Sequence, residues 1–181
     1  MKIIEMLLAV FSIIFSALFI WHKLLNIKIN FKSIKFYITL ISLMLIALIN
    51  YFNVNQYIRI AVVTLSLMLF FKFLFKENLQ KCIITPIFSQ MLTMVSEVIF
   101  ATIIIFGFNL NSNDIANTQF GTLGANLIIA IISMIIVNIP FISKFYKIIL
   151  KITDKIKSVY LIIFIFIITL ISNILAMTVY Y

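Results

Sequence analysis

Two groups of side chains in this sequence have types and spacings that could do chemistry. The first lies on one apolar stretch, residues 82–108. There Pro86, Gln90, Thr93 and Glu97 fall at steps of four, three and four, which a helix gathers on one face, with Ser89 and Ser96 flanking it. A carboxylate inside a membrane span costs ~2.5–3.5 kcal/mol on insertion scales, so Glu97 must face protein, water or a partner. Counted from Cys82, it sits ~22 Å along the helix. Arg59 opens the stretch 57–75 and is the cation within reach. Two readings stay open. Either Glu97 and Arg59 line a ligand crevice and couple its occupancy to helix movement, or Glu97 is structural. In the second case it is ion-paired, or protonated and hydrogen-bonded to a neighbouring backbone or Asn. Gln90 and Thr93 alone read as glue between helices.

The second group is Cys82 with His22, the sole thiol and the sole imidazole. Nucleophilic catalysis needs the two within hydrogen-bond reach. They stand on different stretches, each at its inner end, so the plainer reading is a small apolar residue at a helix start and an interfacial histidine beside Trp21. One cysteine excludes a disulfide within the chain and any cysteine-based metal motif. A phosphate loop and paired acids are also absent from the sequence. No catalytic residue, cofactor or metal is expected here.

The elements that must position these residues are six apolar stretches, 3–21, 36–52, 57–75, 82–108, 120–142 and 159–180. Each is close to or above the ~20 residues that a helix needs to cross ~30 Å of hydrocarbon. A mean hydropathy of +1.25, with 65% apolar and 10% charged residues, excludes an ordinary soluble domain. Runs this long without period-two polar alternation exclude strands. The expected fold is all-α, a single polytopic transmembrane helix bundle over 1–181.

Charge gives it a direction. Lys23, Lys28, Lys32 and Lys35 follow the first stretch, Lys72, Lys76 and Lys81 surround the gap after the third, and Lys144, Lys147, Lys151, Lys155 and Lys157 follow the fifth. The other connections carry Arg59 alone as a cation. By the positive-inside bias the three basic connections are cytoplasmic, which leaves both chain ends outside. The protein is thus expected in the plasma membrane, multi-pass. The net charge of +9 is topological, with lysines that also touch anionic headgroups. No basic stripe with interleaved aromatics points to nucleic acid. Residues 141–158 space lysines and isoleucines as an amphipathic helix on the inner leaflet, and Pro140 ends the fifth span and turns the chain. Asn126, Asn138 and Asn173 are expected to bond between helices, and Gly121 and Gly124 to allow close helix approach.

The order of spans and the run Ile-Phe-Ser-Gln-Met-Leu-Thr-Met-Val-Ser-Glu-Val-Ile-Phe-Ala over 87–101 resemble the membrane sensor region of GHKL-type receptor histidine kinases. These are the quorum-sensing peptide receptors of the accessory-gene-regulator type in Firmicutes. Phe-Gly-Thr-Leu-Gly-Ala-Asn-Leu-Ile over 120–128 and Thr-Asp-Lys-Ile-Lys over 153–157 are similar too. The resemblance implies reception of an extracellular signal, commonly a modified or cyclic peptide, by a homodimer in a two-component system. It also implies a seventh span leading to a cytoplasmic kinase domain. The phosphoacceptor histidine and ATP-binding motifs of the family have no counterpart in this sequence, so the chain itself is not expected to be an enzyme. Six spans ending at Tyr181 outside would be a sensor region cut before its last helix. Asn55, Arg59, Asn111, Asn113 and Asp114 are the candidate ligand contacts, by position at the outer side; Gln90, Thr93 and Glu97 are the candidate coupling residues inside the membrane. Two alternatives remain, a stand-alone small membrane protein and a membrane cysteine endopeptidase that processes quorum-sensing peptides. Alkaline phosphatase fused after Tyr181 is expected to be active outside; a fluorescent cytoplasmic fusion there would mean one span fewer or more.

Overall fold

The computed structural model describes residues 2–48, 56–108 and 121–154, and these form six α-helices with no strand among them. They are α1 (Lys2–Leu25), α2 (Ile34–Leu48), α3 (Gln56–Phe75), α4 (Leu79–Thr102), α5 (Gly121–Val137) and α6 (Pro140–Thr153). A π-helical turn, Ile103–Gly107, continues α4. The first five helices coincide with the first five apolar stretches. The sixth stretch, 159–180, lies outside the described residues, as do the connections at 49–55 and 109–120.

Two helical segments, Leu7–Leu25 and Leu79–Gly107, are long and apolar enough to cross a membrane. Residues Leu123–Val137 and Pro140–Thr153 qualify together as a third, bent by 77° at the break between α5 and α6. The apolar parts of α2 and α3, Ile34–Leu45 and Val62–Phe75, are shorter. The protein is therefore membrane-associated and all-α, with two to three helices that can span.

Pro140 stands in the first turn of α6, where its missing N–H costs nothing and its fixed φ suits a helix start. Ile139 before it is extended, and that breaks the continuity with α5. Around α6 the side chains sort into three faces. Tyr146 and Thr153 are buried, with Ile142 and Ile149 packed on the core; Lys144, Lys147 and Lys151 are exposed; Phe141, Phe145, Ile148 and Ile152 form an exposed apolar edge between them. A helix of this kind lies along an interface rather than across it.

Side-chain contacts fix the direction of the helices. Near the end of α1, Trp21 meets Phe71 and Phe75 near the end of α3, with ring centroids 5.1 and 6.2 Å apart. Lys35, at the start of α2, lies over the Phe73 ring. Gln80, at the start of α4, bonds the Thr153 carbonyl that closes α6. At the opposite end, Glu5 in the first turn of α1 accepts the Leu123 N–H in the first turn of α5, at 3.5 Å. Helices α1 to α5 thus run up and down in turn, and the described lysines of the three basic connections gather at one end. The core also sits toward that end, built on Trp21, Ile20, Phe71, Phe88, Val137 and Tyr146.

Small side chains let the helices close up. Ser96 of α4 and Ser133 of α5 are fully buried with their hydroxyls 2.9 Å apart. Gly124 does not contribute in this way: a methyl group placed there would meet no atom within 4 Å. Asn138 also departs from expectation, since it is exposed and donates to the Met134 carbonyl of its own helix. Its place at the C-terminal end of α5 leaves a free carbonyl within reach of its own amide. Asn173 lies outside the described residues. Ser96→Ala is expected to cost roughly 0.6 kcal/mol, the average for a hydrogen bond between membrane helices. Ser96→Leu should cost roughly 1–3 kcal/mol through overpacking. Unfolding midpoints in mixed detergent micelles would separate the two.

Candidate functional site

The chemistry-bearing residues converge on α4. Its most buried row is Thr85, Ser89, Leu92 and Ser96, at helical steps of four, three and four. Each polar member of the row reaches a different helix. Thr85 shares a 2.7 Å hydrogen bond with the Tyr146 hydroxyl of α6. Ser89 accepts the indole N–H of Trp21 from α1 at 2.9 Å, while its own proton goes to the Pro86 carbonyl at 2.7 Å. Ser96 accepts from Ser133 of α5 and donates to the Leu92 carbonyl. Pro86, inside the helix, removes one backbone donor from the turn that holds these groups.

The stripe that contains the candidate coupling residues lies about 100° around the helix from this row, on the side of α3. Gln90 accepts a 3.0 Å hydrogen bond from Thr64 of α3. Thr93 donates instead to the Ser89 carbonyl of its own helix at 3.1 Å, so it glues no neighbour. Serine and threonine can satisfy themselves in this way one turn back, and that possibility is invisible in spacing. Glu97 is half-buried and engaged, not free. Asn126 of α5 is likewise half-buried and engaged.

Levels along the antiparallel pair α3 and α4 follow from the Thr64–Gln90 bond. Arg59 is five residues, ~7.5 Å, from Thr64 toward the start of α3; Glu97 is seven residues, ~10.5 Å, from Gln90 toward the end of α4. Both positions therefore stand on the side away from the lysine-rich end, within one helical turn in height. The Arg59 side chain lies outside the described residues, as do Asn55, Asn111, Asn113 and Asp114 entirely.

The thiol and the imidazole are each turned to local backbone. Cys82, fully buried, donates to the Glu77 carbonyl at 3.2 Å. His22 Nδ1 lies 2.6 Å from the Ile27 carbonyl and must carry the ring proton there, since a carbonyl only accepts. Among the described residues no hydrogen bond joins the two. Nor does any group of three His, Cys, Asp or Glu side chains there stand close enough to hold a metal.

Sequence reasoning singled out the stripe of Gln90, Thr93 and Glu97; the most buried row of α4 lies beside it. The fully buried Thr85, Ser89 and Ser96, with Trp21, Ser133 and Tyr146 as partners, carry the contacts between helices. Their signal was present as a second run of small polar residues at helical spacing. Burial pushes the Tyr146 phenol up to about 12, although its bond with Thr85 pulls the other way. No protein-family model, curated protein or solved structure matches this chain.

A phenol with a raised pKa contributes stability that is full below its unfolded value near ~10 and is lost as pH rises toward the folded value. Docking of α6 on α4 should therefore weaken between pH ~10 and ~12. A fluorescent label at Lys147→Cys, on the exposed face, would read this as an alkaline step. Tyr146→Phe, which cannot ionise, should abolish the step.

Proposed function

We propose that the chain is the membrane sensor region of a GHKL-type receptor histidine kinase of the accessory-gene-regulator kind. In this reading it crosses the plasma membrane six times with both ends outside and works as a homodimer. It detects an extracellular peptide and relays its occupancy through the bundle to a kinase. The kinase motifs are not in this sequence, so the chain has a receptor's role and no catalytic one.

The observation that supports this best is the bonding of α4. One helix is tied to α1, α3, α5 and α6 by side-chain hydrogen bonds, and it carries Glu97 just beyond the last of them. A receptor of this type needs an element that contacts every neighbour, because differential affinity for two packings acts only through contacts that differ between them. The resemblance over 87–101 falls on this same helix. The gathering of the basic connections at one end also fits an inner face with many lysines.

Candidate ligand contacts remain Asn55, Arg59, Asn111, Asn113 and Asp114, with Gln90 and Glu97 passing the change to α3 and the rest of the bundle. Outer connections that hold one acid and few charges suit an apolar or weakly polar peptide. Trp21 is the only tryptophan, fully buried at the far end of the bundle, so its emission reports rearrangement there. Purified protein in nanodiscs, titrated with a panel of synthetic cyclic peptides of weakly polar sequence, is expected to show a saturable change in Trp21 emission with at least one ring. Arg59→Gln and Glu97→Gln should each weaken that response roughly tenfold, the loss of one charged contact. Silence of the wild-type protein toward every ring would count against reception. An undiminished response in both variants would remove these two residues from the path.

A further inference from the structure

We infer that the crevice between the second half of α1 and the connection 26–33 is a binding site for one anionic phospholipid of the inner leaflet. The acyl chain would lie along α1 and the phosphate between Lys28 and Lys23. This rests on the membrane placement of the bundle and not on its role as a receptor.

The crevice measures about 320 Å³ and is lined by Phe15, Leu18, Phe19, Ile29 and Phe31, with His22 and Lys28 as its polar members. At ~30 Å³ per water-sized group it holds roughly ten such groups, enough for much of one acyl chain. Its apolar floor does not end at the crevice. Leu8, Phe11 and Phe15 follow one another at helical spacing on α1, all exposed, with Phe11 and Phe15 stacked. From Leu8 to Phe19 the helix rises ~16 Å, close to the ~15 Å of hydrocarbon in one leaflet.

The polar rim is built, not incidental. Asn26 has φ of 56°, a left-handed turn that folds the connection back on α1. The Ile27 carbonyl then takes the His22 Nδ1 proton, so the ring is fixed with Nε2 as its remaining polar atom. Asn30 turns the chain again by accepting the Lys32 N–H on its side chain and the Ser33 N–H on its carbonyl. Lys23 lies over the Phe19 ring, 5.8 Å from its centroid, and so adds a second cation to the same wall. Neither Lys23 nor Lys28 is ion-paired among the described residues; the one salt bridge there is Lys81–Glu77. Two cations above an apolar trough call for an anionic head on an apolar tail.

The test uses the whole chain, purified and exchanged into equal phosphatidylcholine and phosphatidylglycerol, with lipid retained per chain counted by native mass spectrometry. Phosphatidylglycerol should be retained over phosphatidylcholine by roughly fivefold, the preference that one lysine near an anionic surface gives. Lys28→Gln, an exposed change that leaves the fold intact, should erase that preference. Replacing Lys144, Lys147 and Lys151 of α6 together by glutamine should not. Glycerol phosphate, which offers the head without a chain, should fail to displace the lipid. Equal retention of both lipids would overturn the proposal, as would a preference that survives Lys28→Gln. Loss in the α6 variant would assign the effect to diffuse charge, and displacement by glycerol phosphate would mean a site for soluble phosphate; either result also overturns it.

Discussion

Lipid tails are as apolar as leucine, so burial of apolar side chains gives membrane helices little reason to prefer one another over the bilayer. What remains is close packing and hydrogen bonds between side chains. In this protein the hydrogen bonds between helices are concentrated on α4, while the closest packing is between α1 and α5. Thr85, Ser89, Gln90 and Ser96 each reach a different neighbour, and Gln80 adds a bond to the end of α6. Each bond is individually modest, ~0.6 kcal/mol on average. Their placement matters more than their sum: a helix with one small polar row has a single face to bury, and that face sets where every neighbour must stand. The 77° bend before α6 makes sense on the same ground, because only a turned chain brings Tyr146 down onto Thr85.

The lysines do a different job. The ion pair Lys81–Glu77 joins two residues at one end of α4, a partly exposed pair of the kind worth ~0.3–0.5 kcal/mol, and it ties no two helices together. The described lysines of the three basic connections lie toward the end where Trp21, Phe71 and Phe88 pack. That end is therefore at once well packed and strongly charged. Lysine stems can reach past apolar surface to headgroups and water, which lets a tight aromatic core sit directly beneath a cationic rim. Lys35 over Phe73 and Lys23 over Phe19 are two instances in which the stem and the ring share one wall.

Much of this was legible in the sequence. Apolar stretches bounded by lysines give five of the helices, Pro140 gives the turn, and the lysine spacing after it gives an amphipathic α6. The facing of α4 was harder to read. Gln90, Thr93 and Glu97 draw the eye because they are the most polar, yet Thr85, Ser89 and Ser96 are the more deeply buried. In water, polarity separates inside from outside; in lipid, apolar residues occur all round a helix and the residues of the interface are the small ones. Periodicity finds both rows and cannot rank them. Nor could spacing tell that Thr93 bonds its own helix while Thr64 crosses to Gln90, since both are threonines on apolar faces. The crevice beside α1 was out of reach for another reason, because it depends on the left-handed turn at Asn26, a single backbone angle.

Stability is uneven along α4, and the gradient has a functional sense. From Cys82 to Ser89 every residue is buried, and bonds to α1 and α6 pin that part in place. Beyond Ser96 the burial falls away, and the π-helical turn at Ile103–Gly107 has no buried residue at all. A π turn holds one extra residue against the α pattern, so its conversion to α would turn whatever follows by ~100° at the expense of one hydrogen bond. An element pinned at one end and adjustable at the other opens locally at the adjustable end first. Glu97 stands at the boundary between the two regimes, one residue past the fully buried Ser96. A perturbation there acts on a helix that can still respond, whereas the same perturbation at Ser89 would act on a part held by two neighbours. If the chain acts as the receptor proposed above, Glu97, rather than the more deeply buried serines, is the position where occupancy of the ligand site would be converted into a change of packing.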